Sequence, residues 1–318
     1  IALLFIALLA APALANRYVL SVLILVFYFA YVGQAWNLLM GFCGQLSLGH
    51  ALFVGIGGYV SAILWLHFGI GPWLGAFAAI AIAAAFGAVI GQLGWRFGIE
   101  GVYFALLTIA FAEFTRIGFD HLPITGGAGG LFLPVHAEDA AQWWNLRGGP
   151  LLFYYLGLAL AAGGVLLAAS LRRSRIGYQW LAVREDQEAA RSLGIDVFRA
   201  KMIAMLISSS MTAVGGVFYA FYYRNLFPAQ VFDIGRSIEL ILAPIIGGLG
   251  TVFGPVIGAF ILTPLGETLI AAVETFGFDA PGTKSVVYGL ALMTIIYALP
   301  NGVWPFLSRL LRLSGASK

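Results

Sequence analysis

Charge is scarce in this sequence. Asp, Glu, Lys and Arg make up 10% of the 318 residues, where a soluble domain carries roughly 25%. Hydrophobic residues make up 61%, with a mean hydropathy of +0.94. So little polar surface cannot coat a globule in water, and the composition points to an integral membrane protein. Cysteine is nearly absent. The single Cys43 lies in an apolar setting, which excludes an internal disulfide and argues against a thiolate metal site. The only lysines are Lys201, Lys284 and Lys318, and none follows a glycine. The GxxxxGK[ST] phosphate loop is therefore missing, and ATP is not bound by that route. There is no His/Cys ligand spacing, GxSxG elbow or HExxH helix. The polar residues are spread out, which disfavours a membrane-embedded enzyme. The net charge of +3 is too small and dispersed for nucleic-acid binding.

Apolar runs of about 20 residues recur, so the expected fold is helical and not a barrel. Spans are expected near 1–15, 18–40, 44–67, 72–94, 101–119, 151–171, 202–223, 237–250, 253–274 and 284–300. This describes an all-α polytopic bundle of about ten spans in one transmembrane domain covering 1–318. Residues 1–15 read as a clipped first span rather than a signal-peptide core, since no basic segment precedes them. The 237–250 span is short and reads as a half-span or re-entrant segment. The 41 glycines suit helices that approach closely.

A polar island interrupts the apolar runs at 172–201, RRSRIGYQWLAVREDQEAARSLGIDVFRAK. It holds seven of the 17 Lys and Arg residues and four of the 14 acids. Burying several unpaired charges in hydrocarbon is too costly, so this loop lies in water. Its basic excess places it on the cytoplasmic side, and counting spans from it puts both termini there and the 120–150 loop outside. Gln179 to Leu193 reads as one helix, with Gly194 as its C-terminal cap. A lone helix of about 15 residues is marginal in water and must dock against something. The loop reads as a handle gripped by a soluble partner.

Two glycine-interrupted stretches stand out: GFCGQLSLG at Gly41–Gly49, and IIGGLGTVFGPVIGAF from Ile245 to Phe260. Broken backbone at membrane depth is tolerated where it is buried in protein or lines a cavity. Paired interruptions suggest two pseudo-symmetric halves with the pathway between them, although glycines also serve close packing. Gln45, Ser47 and His50 are the candidate pathway groups, with capping or packing the plainer reading for His50. Glu113 and Arg116 are three apart on one helix face and can pair, which is the plainer reading of both; lining the conduit is the other. Glu239 and Glu267 are similar cases. In the outer loop, glycines 126, 127, 129 and 130 predict tight turns, and its acids and histidines read as solvated.

These stretches carry a resemblance. GQLSLGHALFVGIGGYVSA (44–62), GVYFALLTIAFAEFTR (101–116), REDQEAARSLGIDVFRAK (184–201), IIGGLGTVFGPVIGA (245–259) and LPNGVWP (299–305) resemble, in order, the LivM-type permeases of branched-chain amino acid ABC importers. The resemblance covers nearly the whole chain. It implies a bacterial inner-membrane permease with no catalysis and no cofactor of its own, ATP and Mg being held by partner subunits. It implies a second related permease, two cytoplasmic ABC ATPases, a periplasmic substrate-binding protein and surrounding lipid as partners.

Glu188-Ala189-Ala190 with Gly194 four positions on is similar to the EAA–Gly coupling loop of such importers. The resemblance makes Arg184, Glu185, Asp186, Glu188, Ala189, Ala190 and Gly194 the ATPase-coupling residues. The apolar-Pro ending of that pattern is missing, replaced by Lys201-Met202-Ile203. Thr125, Gly126 and Gly127 are expected to meet the binding protein. The substrates implied are branched-chain amino acids or related small amino acids, amides and organic acids. The alternative function is an ion-coupled secondary transporter or a channel for small polar solutes.

Overall fold

The computed structural model describes residues 8–13, 15–134, 143–275, 289–290, 293–294 and 297–310. Six helices within it are long and apolar enough to cross a membrane. They are α1 (Arg17–Asn37, continued by a π-turn, Leu38–Phe42), α2 (Ala51–Phe68), α3 (Pro72–Arg96), α4 (Val102–His121), α5 (Pro150–Arg173) and α8 (Val197–Tyr223). Between α5 and α8 lie α6 (Arg175–Glu185) and α7 (Gln187–Ser192). After α8 come a short turn α9 (Pro228–Val231), α10 (Ile234–Gly247), α11 (Gly254–Thr275) and α12 (Val303–Leu310). Local chemistry sets the starts. The Asn16 side chain accepts from Val19 N at α1, Pro72 and Pro150 open α3 and α5, and Asp196 and Asp233 cap α8 and α10.

Two helices organise the packing. α8 lies against α1, α2 and α3, while α1 also packs against α5, α10 and α11. The α2–α8 crossing is close because Gly57 sits on the backbone of Ala213 and Gly216 on that of Val54, so a Cβ at either would collide. Aromatic edges fill the α1–α5 and α1–α8 seams, with Phe27 against Tyr154 and Tyr28 stacked on Phe218.

The segment 172–201 sits at the N-terminal end of α8. At the other end, about 40 Å away along a 27-residue helix, strands β1 (Leu131–Phe132) and β2 (Asn225–Leu226) pair antiparallel. Tyr59 donates to Leu226 O at 2.8 Å, which anchors this ladder on α2.

Two expectations change. The span expected to begin at 44 becomes helical only at Ala51, because 43–50 runs as turns and extended chain. The single helix expected over 179–193 is two helices. Asp186 adopts an extended conformation (φ −157, ψ 117), and its carboxylate accepts from Glu188 N and Ala189 N, ending α6 and capping α7. The short span near 237–250 is α10, whose 14 residues reach about 21 Å, less than a hydrocarbon core of about 30 Å. The expected spans at 1–15 and 284–300 fall largely outside the described residues, as does Lys284.

Candidate functional site

The α6–α7 hairpin is held from beneath and open above. Trp180, Val183 and Ala190 are buried, and Trp180 Nε1 donates to Ala200 O at 2.8 Å, pinning α6 to the start of α8. Lys201, with its side chain 2% exposed, donates to Gln187 Oε1 at 2.6 Å and pairs with Glu100 at 3.0 Å. That bond ties the first residue of α7 to the α3–α4 connection. Gly194, at φ +82, closes α7, and Ile195 N donates back to Ala190 O.

The expected coupling residues separate by direction. Glu185, Glu188 and Ala189 are exposed, and Glu188 pairs with Arg191 at 2.5 Å. Gly194 is exposed at the turn, Ala190 is packed beneath, and Asp186 serves as the cap. Arg184 is exposed too, its side chain 35% accessible, and one end of its guanidinium, Nη1, reaches back to donate to Gly41 O. Motif reasoning passed over two side chains, Leu193 (80% exposed) and Tyr178, which give this charged surface an apolar component. An isolated bulky apolar residue beside a capping Gly was the available signal.

The first break is enclosed. His50 is fully buried, with Nδ1 2.9 Å from Ser47 Oγ and Nε2 2.8 Å from Ser208 Oγ. Trp36 Nε1 donates to Ser47 O at 2.7 Å, and Gln45 Nε2 donates to Cys43 O at 3.1 Å. Thr108 Oγ1 accepts from Leu48 N and Gly49 N, each at 3.1 Å, while Ser237 Oγ accepts from Ala51 N at 3.0 Å. Four helices thus satisfy the polar groups that a non-helical stretch leaves open: α1, α4, α8 and α10. Thr108, Ser208 and Ser237 lie on other elements, and their spacing gave no sign of this convergence.

Glu113 is not part of that cluster. It lies on the open face of α4, its carboxylate 51% exposed, and both of its oxygens accept from Arg116, which also pairs with Asp120 at 2.7 Å. Asp233, at the start of α10, lies within electrostatic range of Arg116. On α10 itself, Arg236 pairs with Glu239 at 2.8 Å and faces the ring of Tyr219 at 5.2 Å. In the α4–α5 loop Thr125 is buried and donates to Phe119 O at 2.6 Å, whereas Gly126 is exposed with φ +78. Gly127 follows with φ +59 and is half-buried. Among the described residues, no group of three or more His, Cys, Asp or Glu could hold a metal ion.

Residues 18–296 match the family described as "Branched-chain amino acid transport system / permease component". The chain is 27% identical to the high-affinity branched-chain amino acid transport system permease protein LivM of Escherichia coli strain K12, covering 96% of this chain and 75% of that protein. It is 25% identical to LivH, a permease protein of the high-affinity branched-chain amino acid transport system in the same organism, over 86% of this chain and 90% of LivH. A probable LivM of Methanocaldococcus jannaschii is 22% identical over 90% of this chain and 93% of that protein. No solved structure matches. With a match running from the first turn of α1 to beyond α11, the chain belongs to the family of branched-chain amino acid transport permeases.

Proposed function

We propose that the chain is one of two permease subunits of an ABC importer, carrying branched-chain amino acids or related small amino acids, amides or organic acids inward across a bacterial inner membrane. Hydrolysis of Mg-bound ATP takes place on separate subunits that dock on the α6–α7 hairpin. A periplasmic binding protein delivers substrate near Thr125–Gly127. The observation that carries the reading is the hairpin itself: anchored by Trp180, Val183 and Ala190, it turns Glu185, Glu188, Ala189 and Leu193 outward from the body of the chain. Short helices held this way have exposed surface to give to a partner.

The second permease fits the face formed by α4 and α10. Glu113, Phe114 and Ile117 are exposed on α4, and Ile234, Ile238 and Glu239 on α10. Charges are expensive against lipid, so this face belongs against protein or a wet pathway. LivM and LivH, both related to this chain, are permease proteins of one system in one organism, which supports pairing. The meeting of the starts of α2 and α10 at Ala51 and Ser237 supports two pseudo-symmetric halves, within about ten spans with both termini cytoplasmic. Gln45, Ser47 and His50 then shape the pathway wall from behind, while Glu113 faces it. An ion-coupled carrier would call for an unpaired carboxylate at depth, and Glu113 is engaged by Arg116 through both oxygens.

Co-purification of the intact complex tests the reading. A tagged chain should bring down a second permease and ATPase subunits. Glu188→Arg with Ala189→Trp should cut ATPase recovery about tenfold, the scale of a lost interface anchor. Proteoliposomes holding the complex and its binding protein, assayed with leucine, isoleucine, valine, urea and benzoate, identify the substrate class. Unchanged ATPase recovery in the double variant removes the docking assignment. Ion-driven uptake by the chain alone removes the importer assignment.

A further inference from the structure

Arg184, its side chain 35% exposed, lies against two glycines whose missing Cβ atoms leave it room, and it reaches the carbonyl of a third. Its stem crosses Gly44, where a Cβ would come within 2.9 Å of Arg184 Cγ. A Cβ on Gly250 would come within 2.5 Å of its Nη1. That nitrogen donates to Gly41 O at 2.5 Å, a carbonyl at the end of α1, where helical carbonyls lack intrahelical partners and a cation is favourable. Asn37 closes the joint. Its Oδ1 accepts from Gly250 N and its Nδ2 donates to Thr251 O, each at 2.9 Å. The end of α1, the turn after α10 and the hairpin therefore meet at one guanidinium. Its other arm, Nη2, donates to Glu185 at 3.1 Å on the hairpin's exposed side.

We propose that Arg184 is a positioning residue that carries displacement of the α6–α7 hairpin into both breaks at once. The proposal rests on the reading that ATPase subunits act on this hairpin. Among the described residues, Arg184 is the hairpin side chain hydrogen-bonded to either break. Gly41 and Gly44 stand at the start of the 43–50 segment, whose far end is His50, and Gly250 stands in the turn between α10 and α11. A shift of about 1–2 Å in the hairpin, the size of helix shifts in switching proteins, pulls on both segments through one side chain. Gly44 and Gly250 serve to admit the arginine, and substitution of the arginine should uncouple motion from transport without loosening the ATPase.

The test is made on the complex purified through a tag on this chain and reconstituted with its binding protein. Three quantities are read: ATPase subunits recovered, ATP hydrolysed, and leucine imported per ATP. Arg184→Ala should keep ATPase recovery and hydrolysis within about twofold of wild type while import per ATP falls about tenfold, near the upper range of couplings measured along such paths. Arg184→Lys, which keeps a cation and one donor, should fall about threefold. If Arg184→Ala does not accumulate in the membrane, the lysine variant decides, with a wild-type ratio overturning the proposal. An unchanged ratio in Arg184→Ala also overturns it. So does loss of ATPase recovery in that variant, since Arg184 would then belong to the docking surface. Failure of the underlying reading looks different: the wild-type complex itself would recover no ATPase or import no leucine.

Discussion

At Lys201 a single ammonium is held at 2% exposure between Glu100, which is 48% exposed, and Gln187. The two ends of that ion pair are unequal, and their removal should cost unequal amounts. Glu100→Ala leaves a buried cation with only Gln187 and the Trp95 ring, at 5.9 Å, to hold it. Uncompensated buried charge is costly, and a loss of about 2–3 kcal/mol is expected. Lys201→Met keeps the apolar stem and leaves Glu100 half in water, so the loss should stay below about 1 kcal/mol. Thermal unfolding in detergent checks the order. A larger loss for Lys201→Met would show that the pair, not the buried charge, dominates. Nothing in the sequence paired positions 100 and 201. Arg184 was similarly hidden, for a traceable reason. On one continuous helix Arg184 and Glu188 lie four apart and share a face. The break at Asp186 resets the phase, so Arg184, though partly open to solvent, reaches Gly41 O, while Glu188 stays on the surface paired with Arg191. The capping carboxylate was visible in the sequence, and it carried the information that a helix restarts there.

Among elements, the non-helical stretch 43–50 poses the hardest problem, because its backbone donors lie deep in an apolar body. Thr108 on α4 answers for two of them, and Ser237 on α10 for the next donor, Ala51 N at the start of α2. Thr108→Val keeps the shape and removes the acceptor, leaving Leu48 N and Gly49 N unpaired. The expected loss is about 2–3 kcal/mol, at the scale of unsatisfied buried groups, and Thr108→Ser should restore most of it. Thermal unfolding of the three proteins side by side checks this, with equal midpoints for Thr108→Val and wild type counting against the assigned role. The glycine run announced the break in the sequence. The acceptors did not announce themselves, because a Thr in mid-helix is more often bonded to its own preceding turn, as Thr108 also is to Ala105 O. The six long helices were legible from hydropathy alone, since length and apolar content decide them. The half-length α10 showed as an anomaly in the same profile.

For the molecule as a whole, the exposed α4–α10 face makes a prediction that monomer stability cannot mimic. Phe114→Arg with Ile238→Arg alters residues that are exposed in the single chain. The unfolding midpoint of the isolated chain should move little, while recovery of the second permease falls about tenfold. Light scattering of the purified complex reads the outcome, and undiminished pairing would move the interface elsewhere. Which face lacks a partner is a property of the folded chain, so hydropathy could not assign it.

The small ladder between Leu131–Phe132 and Asn225–Leu226 has a further consequence. It fastens the α4–α5 crossing to the strand that leads into Phe232, and Phe232 is wedged under Tyr59 and Phe119. Phe232 in turn precedes the start of α10, where Ser237 meets Ala51. The guanidinium joint reaches the opposite end of that same helix. The ladder at one end and the guanidinium joint at the other are thus joined through the fourteen residues of a single short helix, so a displacement at either end has a direct covalent route to the other.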